Sequence, residues 1–152
     1  MIAVRELKTQ YISHKIEISK NIKTVDSPEK VAQLFKSLFP DASEEHMISL
    51  MLNNKNRLHG YCLVSKGTVS ETIIHPREIF KSALLVNASS IILAHNHPSG
   101  VVSPSKEDID VTKRIAEVSK VIGIGFIDHV VVNANTETED SLFYSMREHG
   151  YL

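Results

Sequence analysis

The sequence predicts an α+β domain, a mixed and mainly antiparallel sheet flanked by helices. Short apolar or alternating runs recur along the chain with turn residues between them. Three longer amphipathic stretches carry helix-start signals. The two kinds of segment do not alternate regularly, which argues against a doubly wound Rossmann sheet. The 152 residues suit one domain, and a hydrophobic fraction of 42% is enough to fill its core.

"YISHKIEI", from Tyr11 to Ile18, alternates apolar and polar residues and reads as a half-buried strand. "DSPEKVAQLFKSLFP" reads as a helix with Ser27 as N-cap and Pro28 at the first helical position. Val31, Leu34, Phe35 and Leu38 have the spacing of one buried face, and Pro40 stops the helix. "MISLML" (Met47 to Leu52) is a central strand. The turn Asn53 to Asn56 joins it to "RLHGYCLVS", so the two form a hairpin. "GTVSETIIH", from Gly67, is a further strand. "HPREIFKSALLVN" is a helix from Pro76, with Ile79, Phe80, Ala83 and Leu84 on one face. "SSIILA" (Ser89 to Ala94) is a buried strand that delivers its end to His95. After a loop with Pro98, Gly100 and Pro104, "SKEDIDVTKRIAEVSKVIG" is a helix ending at Gly123. "IGFIDHVVVN" is β-rich, and "SLFYSMREHGYL" holds a last short strand and a tail.

Composition excludes several functional classes. A net charge of −1 weakens direct DNA binding, which works by phosphate neutralisation. The single cysteine, Cys62, allows no internal disulfide and no multi-cysteine zinc module, and its setting in "GYCLV" is that of a small buried hydrophobe. The first residues carry no apolar signal region, and no run approaches the ~20 residues of a membrane span. The expectation is a soluble, cytoplasmic protein.

The densest chemistry is "AHNHPSGVVSPSKED", Ala94 to Asp108. If the strand continues through His95 and His97, their side chains share one face and can converge on a metal ion, with Asn96 on the other. A catalytic zinc usually takes three protein ligands and leaves one position for water. Asp108 is a candidate third ligand. Counted from it, Val111, Ile115, Val118 and Ile122 fall at helical steps, so it opens the core-facing stripe, and a carboxylate turned inward needs a partner. Beside this stands a plainer reading, in which Ser105 and Asp108 form a capping box. The contiguous "HNH" is no sign of an HNH nuclease, whose residues are scattered. His14, His46, His59, His75 and His149 show no paired spacing and read as surface or packing residues.

The whole pattern, H-x-H, seven residues, Ser, two residues, Asp, resembles the JAMM motif of JAB/MPN metalloproteases. "HPREIF", "NASSIILAHNHPSG", "PSKEDI", "TKRI" and "IDHVVV" resemble, in order, the RadC-like branch of that family, over roughly Ser27 to Tyr144. The resemblance implies the JAB1/MPN (cytidine-deaminase-like) architecture, with residues 1–26 as an N-terminal strand or extension and 27–152 as the domain. Only about 26 residues precede the first helix, so the helix-hairpin-helix segment often fused to such domains has no expected counterpart.

The resemblance further implies that His95, His97 and Asp108 bind Zn²⁺, with water in the fourth place. It asks for an upstream glutamate as general base. "EEHMISLMLNNKNRL" puts Glu45 in register, with Glu44 the off-by-one alternative and Glu71 and Glu78 nearer the histidines in sequence. The implied reaction is zinc-dependent hydrolysis of a peptide or isopeptide bond. Zinc would lower the pKa of its water, Glu45 would move the proton to the leaving amine, and Ser105 would donate to the oxyanion. The peptide or protein substrate is not specified by the sequence, and self-association into a homo-oligomer stays open. His129, after Asp128 in "IDHVVV", matches the family pattern and could support the site, although strand packing is the plainer reading. A competing expectation is a non-enzymatic RadC-like module associated with DNA repair or mobile elements.

Overall fold

Apolar periodicity places each helix against the sheet, and side-chain caps open α1 and α3. The structure, a computed structural model, describes residues 10, 12, 22–40, 43–67, 74–135 and 143–152. The strands expected at Tyr11–Ile18 and Gly67–His75 lie almost wholly outside these residues, as does Glu71. Helix α1 (Pro28–Leu38) starts at Ser27, whose side chain accepts the Lys30 N–H, and Pro28 brings its fixed φ to the first turn. Helix α2 (Pro76–Leu85) also begins on a proline. Helix α3 (Lys106–Ile122) opens on a full capping box between Ser105 and Asp108 and closes at Gly123, whose φ of +79° is the left-handed conformation that glycine adopts without strain.

Among the described residues five strands form one sheet: β1 (His46–Leu52), β2 (Leu58–Lys66), β3 (Ser90–Asn96), β4 (Gly125–Val132) and β5 (Phe143–Ser145). Their order is β2-β1-β3-β4-β5. Among the described strands only the β3–β4 pairing is parallel, so the sheet is mixed and mainly antiparallel, as expected. The β1–β2 hairpin forms around the Asn53–Asn56 turn, where Asn56 N–H donates to Asn53 O at 3.0 Å.

The alternation of strand side chains divides the core in two. Ile48, Leu50, Leu52, Ile92, Ala94, Val130 and Val132 face Val31, Leu34 and Phe35 of α1. Met47, Met51, Ile91 and Leu93 face Ile79, Phe80 and Ala83 of α2 and Ile115 of α3. Full burial of a side chain such as Phe35 or Ile115 stabilises by roughly 1.5–3 kcal/mol each.

Three sequence expectations change in detail. Leu84 does not share the buried face of α2 and is 58% exposed, and Leu38 is only partly buried. Cys62 is half-buried rather than buried, and its sulfur accepts from Ser82 Oγ at 3.1 Å. The buried stripe of α3 runs through Asp108, Thr112, Ile115 and Ser119, with Val111, Val118 and Ile122 at its margin. Strand β3 also continues past Ala94 and includes His95 and Asn96.

Candidate metal centre

The site forms where the C-terminal end of β3 meets the start of β1 and the first turn of α3. Ile91, Leu93 and His95 lie on the α3 face of β3 by the two-residue period, and His97 follows beyond the strand end. The His95 ring is fully buried. Its Nε2 lies 3.0 Å from His97 Nε2 and 3.2 Å from Asp108 Oδ1, while His97 Nε2 lies 3.3 Å from Asp108 Oδ2. One donor atom each from Glu45, His95 and His97 fall within 4.8 Å of one another. The capping box and the inward carboxylate are both present, because Asp108 Oδ2 accepts the Ser105 N–H at 2.7 Å while the same carboxylate faces both imidazoles. Ser105 Oγ accepts the Asp108 N–H at 3.1 Å, which leaves its hydroxyl hydrogen to donate elsewhere.

The donor atoms of Glu45, His95 and His97 form a group that could hold a metal ion. Ligands at about 2.0–2.1 Å from zinc sit roughly 3.3–3.4 Å from each other in a tetrahedron. The two imidazole nitrogens are 3.0 Å apart, and each faces a different Asp108 oxygen, His95 Nε2 at 3.2 Å from Oδ1 and His97 Nε2 at 3.3 Å from Oδ2, spacings of the same order as that edge. The loop after β3 orients His97 from behind. Gly100 has φ +76°, its N–H closes a turn on His97 O at 2.9 Å, and the Val101 carbonyl comes within 2.7 Å of His97 Nδ1. A carbonyl only accepts, so His97 Nδ1 carries the hydrogen and its Nε2 faces Asp108 and His95.

Electrostatics follow from this crowding. Burial alone would raise the Asp108 carboxyl, but hydrogen bonds from His95 and His97 outweigh it and hold the group well below the ordinary carboxylate range. The same contact with Asp108 raises His97 against the opposing effect of burial. Burial raises the Glu45 carboxyl, with attraction from His95 and His97 opposing it. A carboxyl displaced in that direction is better able to take up and hand on a proton near neutrality.

The structure separates the glutamates that sequence left open. Glu45 stands beside the histidines. Glu44 turns to Lys66 of β2 at 2.8 Å, and Glu78 pairs with Lys81 at 2.7 Å on the exposed side of α2. Among the other histidines, His46 packs on Phe39 with ring centroids 4.6 Å apart, and His149 stacks on Tyr144 at 3.8 Å. His59 and His75 are exposed, and His14 is outside the described residues.

Two supporting residues went unrecognised or undervalued in the sequence. Asn96, on the α1 face, is fully buried. Its Oδ1 accepts the His46 N–H at 2.9 Å and its Nδ2 donates to Glu44 O at 3.1 Å. It therefore grips the backbone on both sides of Glu45. His129, on β4, is also fully buried, and its Nε2 lies 2.9 Å from His95 Nδ1. Strand packing is therefore not its whole role. Asp128 points the other way and is bound by Ser145 Oγ at 2.6 Å and the Arg147 N–H at 3.0 Å, so the Asp-His pair splits across the sheet. The sequence signal for His129 was a histidine inside an otherwise apolar strand beside the one carrying H-x-H. That for Asn96 was a polar residue between the two histidines, on a strand buried on both faces.

The chain matches the sequence profile of the RadC-like JAB domain over residues 25–151. It is similar to a UPF0758 protein of Finegoldia magna, 44% identical over 85% of this chain and 55% of that protein. It is also similar to UPF0758 proteins of Rubrobacter xylanophilus, 38% identical over 93% and 60%, and of Staphylococcus epidermidis, 42% identical over 84% and 54%. The chain thus spans a little over half the length of these relatives. Among the described residues no helix is long and apolar enough to cross a membrane.

Proposed function

The chain belongs to the RadC-like JAB domain family, and from that premise we propose that this domain is a zinc-dependent hydrolase of amide bonds, peptide or isopeptide. The observation that carries the reading is the convergence of His95 Nε2, His97 Nε2 and the Asp108 carboxylate at 3.0–3.3 Å beside the Glu45 carboxylate. His95, His97 and Asp108 would hold the zinc, which when bound supplies Lewis-acid polarisation of a carbonyl and lowers the pKa of water toward about 7.

The chain's own groups account for the proton movements and for the charge that builds up on the substrate. Glu45, raised by burial, takes the proton of the attacking water at its carboxylate and returns it to the leaving amine. Asn96 keeps Glu45 in place by holding Glu44 O and His46 N–H. Ser105 Oγ is engaged as an acceptor by Asp108 N–H, so its hydrogen is available to the developing oxyanion. The cap and the catalytic role therefore use different parts of one hydroxyl.

The test combines metal content with turnover. Purified protein should contain about one zinc per chain, and His97→Ala should lose it. Glu45→Gln should keep the metal while hydrolysis of a peptide and isopeptide panel falls by about 10²–10⁴-fold. Stoichiometric zinc with no cleavage across a broad amide library would overturn the hydrolase reading.

A further inference from the structure

We propose that the cavity between the start of α1 and the turn after β5 binds a small zwitterion with an apolar body, that is, an apolar α-amino acid. The cavity lies on the α1 face of the sheet, while His95 and Asp108 meet on the α3 face, so the inference does not rest on the hydrolase reading.

The cavity forms where two distant parts of the chain meet over the sheet. Val25 and Val31, on either side of the Ser27 cap, stand against Ile92 of β3 and Ile127 of β4, and residues 145–148 close the other side. These four aliphatic side chains belong to the α1-side core, so the floor is apolar. The space is half-open and holds about 300 Å³. That is the lower end of small-molecule cavities, which suits a ligand of amino-acid size.

Charge decides the class of ligand. Two of the carboxylates in the wall are already engaged. Asp128 accepts from Ser145 Oγ at 2.6 Å, the His129 N–H at 2.7 Å and the Arg147 N–H at 3.0 Å. Asp26 accepts from Lys30 Nζ at 2.6 Å and Thr24 Oγ1 at 2.8 Å. Arg147 and Glu148 differ from both. Their main chains are fixed, because the Arg147 N–H donates to Asp128 Oδ1 and the Glu148 N–H donates to Ser145 Oγ at 3.1 Å. Their side chains have no ion pair or hydrogen bond among the described residues. The fold thus holds one uncommitted cation beside one uncommitted anion at the border of an apolar floor. A guanidinium receives a carboxylate in its fork, and a carboxylate receives an ammonium. An aliphatic side chain between the two covers the floor and removes it from water. A simple acid or a simple amine answers only one of the two charges, and an α-amino acid answers both.

Methyl ¹H–¹³C spectra of the full-length chain, titrated with L-leucine, glycine, N-acetyl-L-leucine and L-leucinamide, read both place and affinity. L-Leucine should shift the methyls of Val31, Ile92 and Ile127 and saturate below about 10 mM. Glycine lacks the apolar body, and the two derivatives each lack one charge, so each should bind about tenfold more weakly or worse. Arg147→Gln and Glu148→Gln keep the main-chain bonds to Asp128 and Ser145, so both should fold as wild type does. In Arg147→Gln, L-leucine and L-leucinamide should bind alike, because the carboxylate has lost its partner. In Glu148→Gln, L-leucine and N-acetyl-L-leucine should bind alike for the matching reason. No saturable shift with L-leucine, or shifts at Leu93 and Ile115 in place of these methyls, overturns the site. Equal affinity for all four compounds, or an Arg147→Gln loss as large for L-leucinamide as for L-leucine, overturns the charge assignment.

Discussion

Acid should destabilise the metal-free protein through His129, in a window set by that residue alone among the site histidines. Its pKa is pushed down to about 3 by burial, against 6.5 ordinarily. Between those values the unfolded chain binds a proton that the folded chain refuses, so stability falls as pH falls through 6.5 and levels off below about 3. A full unit is worth about 1.4 kcal/mol, but the unfolded histidine is only half protonated at pH 6.5, so the step from pH 6.5 to 4.5 costs roughly 2.3 kcal/mol. That is a large part of the ~5–15 kcal/mol that holds a domain together. His97 acts in the opposite sense and in another window. Its pKa is raised by Asp108, so its contribution is fully present below 6.5 and lost as pH rises through its folded value. Asp108, strongly lowered, loses its contribution only as pH falls below its ordinary 3.8, outside the range tested. Glu45 and Asp128, raised by burial, gain stability as pH falls, but equally in any protein that keeps them. The measurement is urea denaturation after chelation at pH 4.5–8, on wild type and on His129→Gln, whose side chain does not titrate. The difference between the two should narrow by about 2–3 kcal/mol on going from pH 6.5 to 4.5. Parallel curves over that range would refute the claim that a neutral, buried imidazole is built into the fold.

Other perturbations separate the supports of the site from its donors. Asn96→Ala leaves Glu44 O and the His46 N–H without this partner, so stability should drop by about 1–3 kcal/mol. Turnover should fall further than metal affinity, because the clamp acts on the Glu45 backbone. Equal losses of both, read by calorimetry and kinetics, would show that Asn96 serves the fold in general. Gly100→Ala places a side chain at φ +76°, with a strain of roughly 1–2 kcal/mol. The added Cβ would also sit 3.4 Å from Asn133 Oδ1. Loosening this turn frees the Val101 carbonyl from His97, and Zn²⁺ affinity, read by competition with a chromophoric chelator, should weaken.

The sequence was most legible where one period governs the element. The run into His95 read as a buried strand, and the two-residue period put His95 and His97 on one side, where the structure has them. Helix α3 was legible in its start, its end and the inward turn of Asp108. Its stripe was not, because hydrophobicity favours Val111 and Val118 over Thr112 and Ser119. A buried threonine costs little once its hydroxyl is bonded, and the partner that bonds it, His129, arrives from another strand. No helical pattern contains that information. Asn96 escaped for the complementary reason, since its partners are main-chain atoms some fifty residues earlier. The place of Glu45 came from resemblance rather than from any period, and the position of Glu44 against Lys66 gives it a physical reason.

Alternation along two neighbouring strands explains why one short segment can carry both chemistry and scaffold. On β3, His95 faces α3 while Asn96 faces α1 and holds the segment that bears Glu45. On β4, paired with β3 in parallel, His129 faces α3 while Asp128 faces α1 and is tied to Ser145 and Arg147. One face therefore collects the donors and the residues that orient them, and the other collects hydrogen bonds that keep the strand ends still. Helix α3 joins the donors through its own pitch, since Thr112 sits one turn after Asp108 and bonds to that residue's carbonyl. A change in the first turn of α3 would then reach His95 by two routes, directly through the carboxylate and indirectly through His129. Substitutions at Asp108 and Thr112 should for that reason be non-additive in metal affinity, whereas Thr112 and Gly100, which act on different histidines, should combine additively.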